Sequence, residues 1–122
     1  MDDSAEIVLI EDDEDIAIQI ITNLKQTFSS HVRHFEDGAA AIDFLFSEEG
    51  KTTKLILLDL ILPTVDGIEI FKKLKSDPVR KNIPIVILIS SEAGRAYFNS
   101  FGFVPEGYAN KQSGLKNFAA SA

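Results

Sequence analysis

The chain contains no cysteine, which rules out a disulfide framework and thiolate chemistry and is compatible with a reducing compartment. Basic residues are also few: 12 Lys and Arg stand against 19 Asp and Glu, for a net charge of −7, and the pI is near 4.7. Direct binding to nucleic acid or an anionic membrane needs a basic face, so both partner classes are excluded. No apolar run approaches the roughly 20 residues of a membrane-spanning helix. The first residues, Met1-Asp2-Asp3-Ser4, are acidic and polar, the opposite of a secretion signal. Internal repeats, low-complexity tracts and linkers are absent as well. A length of 122 residues predicts a single domain, 1–122, with one sizeable core and no effector domain in the chain. The expected location is cytoplasmic.

What is present is organised around residues 55–67, LILLDLILPTVDG. An unbroken apolar run predicts a strand buried on both faces, the condition of a central strand in a parallel sheet. One acid, Asp59, interrupts it. A buried carboxylate is costly unless it is paired, hydrogen-bonded or metal-bound. Asp66 before Gly67-Ile68-Glu69 has the form of a helix N-cap. The segment therefore reads as strand, acid, short loop and helix.

Apolar segments at 7–10, 55–58 and 85–89, with a weaker one at 108–110, have strand character, and 31–35 alternates as an edge strand does. Helical periods lie between them. Ile16, Ile20, Leu24 and Phe28 recur every four residues, Ala41, Ile42 and Leu45 follow Asp37-Gly38, and Ile68, Phe71 and Leu74 follow Asp66. A weaker helix is predicted over 93–101, containing Gly94, and a last one begins at 115–120. Strand and helix thus alternate through the chain, which implies βαβ units. Right-handed crossovers then give an α/β fold, a doubly wound, three-layer, five-stranded parallel sheet of flavodoxin-like order 2-1-3-4-5. Its switch point lies between strands 1 and 3.

Strand 1 ends in Glu11-Asp12-Asp13 and strand 3 in Asp59, the two strands flanking that switch point. Carboxylates gathered there repel by about 4 kcal/mol per pair at 4 Å with an effective dielectric near 20. An all-oxygen donor set selects a hard cation, typically Mg²⁺ shared with a phosphate oxygen. A carboxylate beside Mg²⁺ can also attack phosphorus to form an aspartyl phosphate. The plainer alternative is that Asp13 caps the first helix and the acidic run is a solvated turn. That alternative is weaker for Asp59, flanked by Leu58 and Leu60.

VLIEDDEDI, LILLDLILPTVDG and GYANK together resemble the receiver domain of two-component response regulators, over nearly the whole chain. The segment LKSDPVRKNIPIVIL is most similar to that of single-domain receivers partnering bacterial phytochrome kinases. The resemblance implies that Asp59 is the phosphoacceptor. It also implies that Glu11, Asp12, Asp59 and the backbone carbonyl of Ile61 hold Mg²⁺, with Asp13 left as the cap. Lys111 would pair with the phosphoryl oxygens as a point charge, and Tyr108 falls at the aromatic switch position. Partners implied are a histidine kinase, of phytochrome type or otherwise, or a histidine phosphotransfer protein, with a homodimer left open. On this reading the domain is regulatory and not a turnover enzyme. A phosphatase would need a second acid two residues after the nucleophile, where Ile61 stands.

Two departures from the family pattern matter. The family carries Ser or Thr at the end of strand 4, and counts from Pro84 and from Lys111 both give Ile89. Ser90 fills the position only if the strand contains a one-residue bulge. Without that hydroxyl the chain is a receiver-like module insensitive to phosphorylation, which is the alternative function. Lys111 is also followed by Gln112 in place of the family's proline. His31, His34, Arg80 and Arg95 read as solvated polar residues. Phe98, Phe101 and Phe103 read as core packing near Tyr108.

Overall fold

Five short apolar runs pair edge to edge because their backbone polar groups, once buried, need partners. In the computed structural model, which describes residues 6–27, 31–63 and 65–111, they form β1 (Glu6–Ile10), β2 (His31–Phe35), β3 (Thr53–Asp59), β4 (Ile85–Ile89) and β5 (Gly107–Asn110). All pairings are parallel and the order is β2-β1-β3-β4-β5, as the alternation of elements predicts. The solid apolar runs lie at β1, β3 and β4, the three interior positions, and the alternating segment lies at an edge.

Between the strands run α1 (Glu14–Thr27), α2 (Gly38–Leu45), α3 (Gly67–Lys75) and α4 (Glu92–Asn99), with a short 3-10 turn at Glu49–Thr52. Three starts are set by aspartates whose side chains accept a backbone N–H in the first turn. Asp13 Oδ1 takes Ile16 N at 3.1 Å, Asp37 takes Ala39 N at 2.9 Å and Asp66 takes Ile68 N at 2.9 Å. The second predicted strand of the centre begins at Thr53, two residues before the apolar run, and the fourth helix spans 92–99 instead of 93–101. Phe28, Gln112 and the helix expected over 115–120 lie outside the described residues.

Side-chain alternation along each strand divides the core in two. Ala17, Ile20 and Leu24 of α1 pack on Leu9, Leu57, Leu88 and Ala109. On the other face α2, α3 and Phe98 of α4 cover Val8, Ile10, Ile56, Leu58, Ile85, Ile87 and Ile89. Each fully buried aliphatic side chain contributes roughly 1.5–3 kcal/mol. The phenylalanines divide: Phe98 is fully buried and edge-on to Phe71 at 4.9 Å, whereas Phe101 is 47% exposed.

Arg80 departs from its expected solvated role. It is 6% exposed, and its guanidinium donates to the carbonyls of Leu45 and Ser47 and to Asp77.

Gly67 fixes the distance between α3 and the end of β3. A Cβ there would lie 2.5 Å from the Asp59 carbonyl oxygen and 2.7 Å from Leu60 Cα, both backbone atoms. Gly67→Ala is expected to destabilise the fold by about 1–3 kcal/mol, the usual cost of forced overpacking. Urea unfolding checks this, and an unchanged midpoint would show that the loop yields freely.

Candidate functional site: an acidic pocket at the switch point

The register of the central strands decides which side chains meet. Leu9 is opposite Leu57, and Leu88 is opposite both Asp59 and Ala109. Leu9, Leu57, Leu88 and Ala109 all face α1. Two residues further along β1, β3 and β5 come Glu11, Asp59 and Lys111, which strand alternation turns to that same side. Three chain segments distant in sequence thus deliver two acids and one base to the carboxyl edge of the sheet, at its topological switch point.

The contacts bear this out. Lys111 Nζ lies 3.0 Å from Asp59 Oδ2 and 3.2 Å from Glu11 Oε1, and its side chain is 11% exposed. Glu11 is completely buried and Asp59 nearly so. Glu11 Oε2 accepts the Asp13 N–H at 3.1 Å, while Asp59 Oδ1 meets the Ile61 N–H at a long 3.4 Å. Asp12 is exposed, and carboxylate oxygens of Glu11, Asp12 and Asp59 lie within 4.8 Å of one another. Ile61 itself projects outward, 82% exposed.

One ammonium is shared by Glu11 and Asp59, with the exposed Asp12 carboxylate nearby, so acids outnumber bases among these residues. Glu11 carries the strain. Burial, with the nearby charge of Asp59, pushes its carboxyl up to about 7 against the pull of the Asp13 N–H and Lys111. Burial pulls the Lys111 ammonium down, but the hydrogen bond and charge of Asp59, joined by Glu11, more than offset it and the net shift is upward. Glu11 Oε1 receives no hydrogen bond despite its burial. A buried carboxylate oxygen whose charge is met by a shared ammonium, within reach of two further carboxylates, belongs to a donor set suited to a hard divalent cation. Glu11, Asp12 and Asp59 fit such an ion.

The remaining expected site residues divide. Ile89 is 3% exposed and packs on the face opposite Asp59, with Gly94 and Phe98 above it. Ile89 thus shares the face of Tyr108 and not that of Asp59. Ser90, exposed and just past β4, carries the parity of Leu88, the register partner of Asp59. The β3–β4 and β4–β5 registers run unbroken, so the described β4 lacks the bulge that would carry Ser90 into the position counted for Ile89. Tyr108 lies on the opposite face: its hydroxyl donates to Asn99 Oδ1, and the Arg95 guanidinium covers its ring at 4.4 Å. His31 is exposed as expected, but His34 is half-buried, with Nε2 2.8 Å from the Glu11 carbonyl oxygen. Nothing in an alternating edge strand signals that contact.

A doubly wound sheet with acids and a lysine converging at its switch point places the chain in the class of α/β domains that bind ligands at that point. Within that class, residues 7–117 match the response regulator receiver domain, and the chain belongs to that family. It is 35% identical over 101 residues to "Probable methanogenesis regulatory protein FilR2" of Methanothrix harundinacea, covering 76% of this chain and 65% of that protein. It is 33% identical over 116 residues to response regulator Rcp1 of Synechocystis, covering 91% and 79%. Among solved structures it is similar to the bacteriophytochrome response regulator RtBRR, with a TM-score of 0.84 and 30% identity over 94% of this chain and 74% of that one. The Mn²⁺-bound form of Rcp1 superposes with a TM-score of 0.76 and 31% identity over 95% and 87%. A phosphorylated cyanobacterial phytochrome response regulator, RcpA, does so with 0.72 and 30% over 95% and 86%. Receiver domains pair with histidine kinases, and no described helix is long and apolar enough to cross a membrane.

Proposed function

We propose that this receiver takes a phosphoryl group from a histidine kinase onto Asp59 in a Mg²⁺-dependent reaction and signals by protein–protein contact. The observation that carries the reading is the buried Asp59 carboxylate, held 3.0 Å from Lys111 Nζ within a cluster of further acids. Glu11, Asp12, Asp59 and the Ile61 carbonyl would hold the cation, which supplies positive charge beside the transferring phosphoryl oxygens. An Asp59 oxygen attacks phosphorus, and the phosphorus–nitrogen bond of the donor breaks with its electron pair going to the imidazole. Lys111 stays charged throughout and exchanges its carboxylate partner for a phosphoryl oxygen. Ser90, on the parity of Asp59, supplies the hydroxyl that reads the phosphoryl group, and Tyr108 relays the change to the α4 face.

The likeness to receivers named for phytochromes favours a phytochrome-type kinase or a histidine phosphotransfer protein as donor, in the cytoplasm. The alternative of a phosphorylation-insensitive module rests on Ile89, which is in the core as that alternative expects; the family match and the likeness to a phosphorylated response regulator favour the phosphorylated reading. Incubation with Mg²⁺ and a small acyl phosphate is expected to add one phosphoryl group by intact mass, labile to hydroxylamine. No added mass at saturating donor would overturn the reading.

The raised Glu11 carboxyl gives a pH-dependent prediction. Its proton is held in the fold to about pH 7 against an ordinary 4.5. Below 4.5 the group is protonated folded or unfolded, and its contribution is fully present. That contribution is lost as pH rises through 7, at on the order of 3 kcal/mol for the full shift. Glu11→Gln cannot ionise. Without divalent ions it is therefore expected to gain about 2–3 kcal/mol on the native protein between pH 5 and 8. Urea midpoints at the two pH values measure the difference, and a difference independent of pH would contradict the assignment. Added Mg²⁺ should stabilise the native protein and not the variant.

A further inference from the structure

In a parallel sheet the carbonyl at the end of one strand accepts an N–H from the neighbouring chain two residues on. The Glu11 N–H still donates to the Phe35 carbonyl at 3.0 Å, as a ladder rung should. Beyond Phe35, however, the β2 chain turns away so that Asp37 can cap α2. The Glu11 carbonyl is met instead by a side chain, the His34 imidazole, with Nε2 2.8 Å from the oxygen. A carbonyl only accepts, so this nitrogen carries the hydrogen and donates it. His34 pairs with Leu9 in the register and shares its side of the sheet.

The residue so gripped is the hinge of the acidic turn. Glu11 is fixed through its N–H by Phe35, through its side chain by the Asp13 N–H and Lys111, and through its carbonyl by His34. The carbonyl belongs to the peptide that leads into Asp12, the exposed acid of the cluster. Rotation of that peptide would swing Asp12 relative to Glu11 and Asp59. The Phe35 and Lys111 contacts hold atoms on the near side of that peptide and leave its rotation free, whereas the Asp13 N–H bond to Glu11 Oε2 spans it and shares the restraint with His34.

We propose that His34 is a positioning residue for the divalent-cation site, its ring N–H orienting the Glu11–Asp12 peptide so that the Asp12 carboxylate stays with those of Glu11 and Asp59. The inference rests on the cation reading above. Groups that orient metal ligands from behind are worth roughly 10–100-fold in affinity. His34→Phe keeps a ring in the half-buried position and removes the donor, whereas His34→Gln restores an N–H donor. Mn²⁺ titration of the unphosphorylated protein, followed by water-proton relaxation, reads affinity with no phosphoryl chemistry.

The expected result is about 10-fold weaker Mn²⁺ binding for His34→Phe and binding within about 3-fold of native for His34→Gln. In the metal-free protein, amide exchange at Asp12 should quicken in His34→Phe alone, with the exchange of β3 unchanged. Equal Mn²⁺ affinity in native protein and His34→Phe would overturn the positioning role and leave the cation site standing. So would an equal loss in both variants. Absence of Mn²⁺ binding to the native protein would instead overturn the cation reading, and this inference with it.

Discussion

Asp59→Asn is expected to abolish phosphorylation completely while leaving the fold within about 1 kcal/mol of native. The chemistry needs an ionised oxygen at the pocket floor, and an amide supplies neither the nucleophile nor the charge. The fold tolerates the change because Lys111 keeps Glu11 as an ion-pair partner at 3.2 Å, so no buried charge is stranded. The substitution also removes the like charge that helps push the Glu11 carboxyl upward. Intact mass after acyl phosphate treatment and urea unfolding measure the two halves. A phosphoryl group still added to Asp59→Asn would move the acceptor to another residue, with exposed Asp12 first among them. A collapse in stability would mean that the pair with Asp59, and not the shared ammonium, holds the strand ends together. Lys111→Ala is the contrasting case, since it leaves two buried carboxylates with no cation and should cost about 3–5 kcal/mol in the absence of divalent ions.

The buried acid at the end of β3 was legible because its signal is local: a polar group ends an apolar run, and burial of a charge demands a use. Strand order and helix starts were legible for the same reason, each resting on a pattern within one segment. Which residue of β4 shares a side with Asp59 was not. Counting from Pro84 or Lys111 assumes a fixed offset between neighbouring strands, but the offset depends on how β4 enters the sheet. Only the pairing of Asp59 with Leu88 sets it: that pairing turns Ile89 into the core, as one of the two readings of the sequence held, and gives Ser90 the parity of Asp59. His34 was hidden differently. Its partner is a backbone carbonyl, and a carbonyl has no letter in the sequence.

Arg80 was hidden in the same way, and its expected effect on stability is as large as that of Lys111. A helix leaves its last carbonyls without partners, and those at the end of α2 lie inside the molecule. Arg80 reaches them from 35 residues further along the chain, donating to the Leu45 carbonyl, and from a second nitrogen to that of Ser47 at 2.9 Å. Its guanidinium also lies 4.9 Å from the centre of the Phe46 ring. Asp77 anchors the other side: its carboxylate accepts the N–H groups of Arg80 and Val79, and the first of these leads in holding its acid below the usual range. In Arg80→Ala both carbonyls lose their donor at about 1–3 kcal/mol each, and the stem no longer fills its slot. The expected loss is about 3–5 kcal/mol, a large share of the roughly 5–15 kcal/mol that holds a domain of this size. Arg80→Lys should recover only a minor part, because one ammonium cannot present the fork that spans two carbonyls. Urea unfolding of both variants checks this, and full recovery by lysine would show that charge, not the geometry of the fork, ties α2 to the loop before β4.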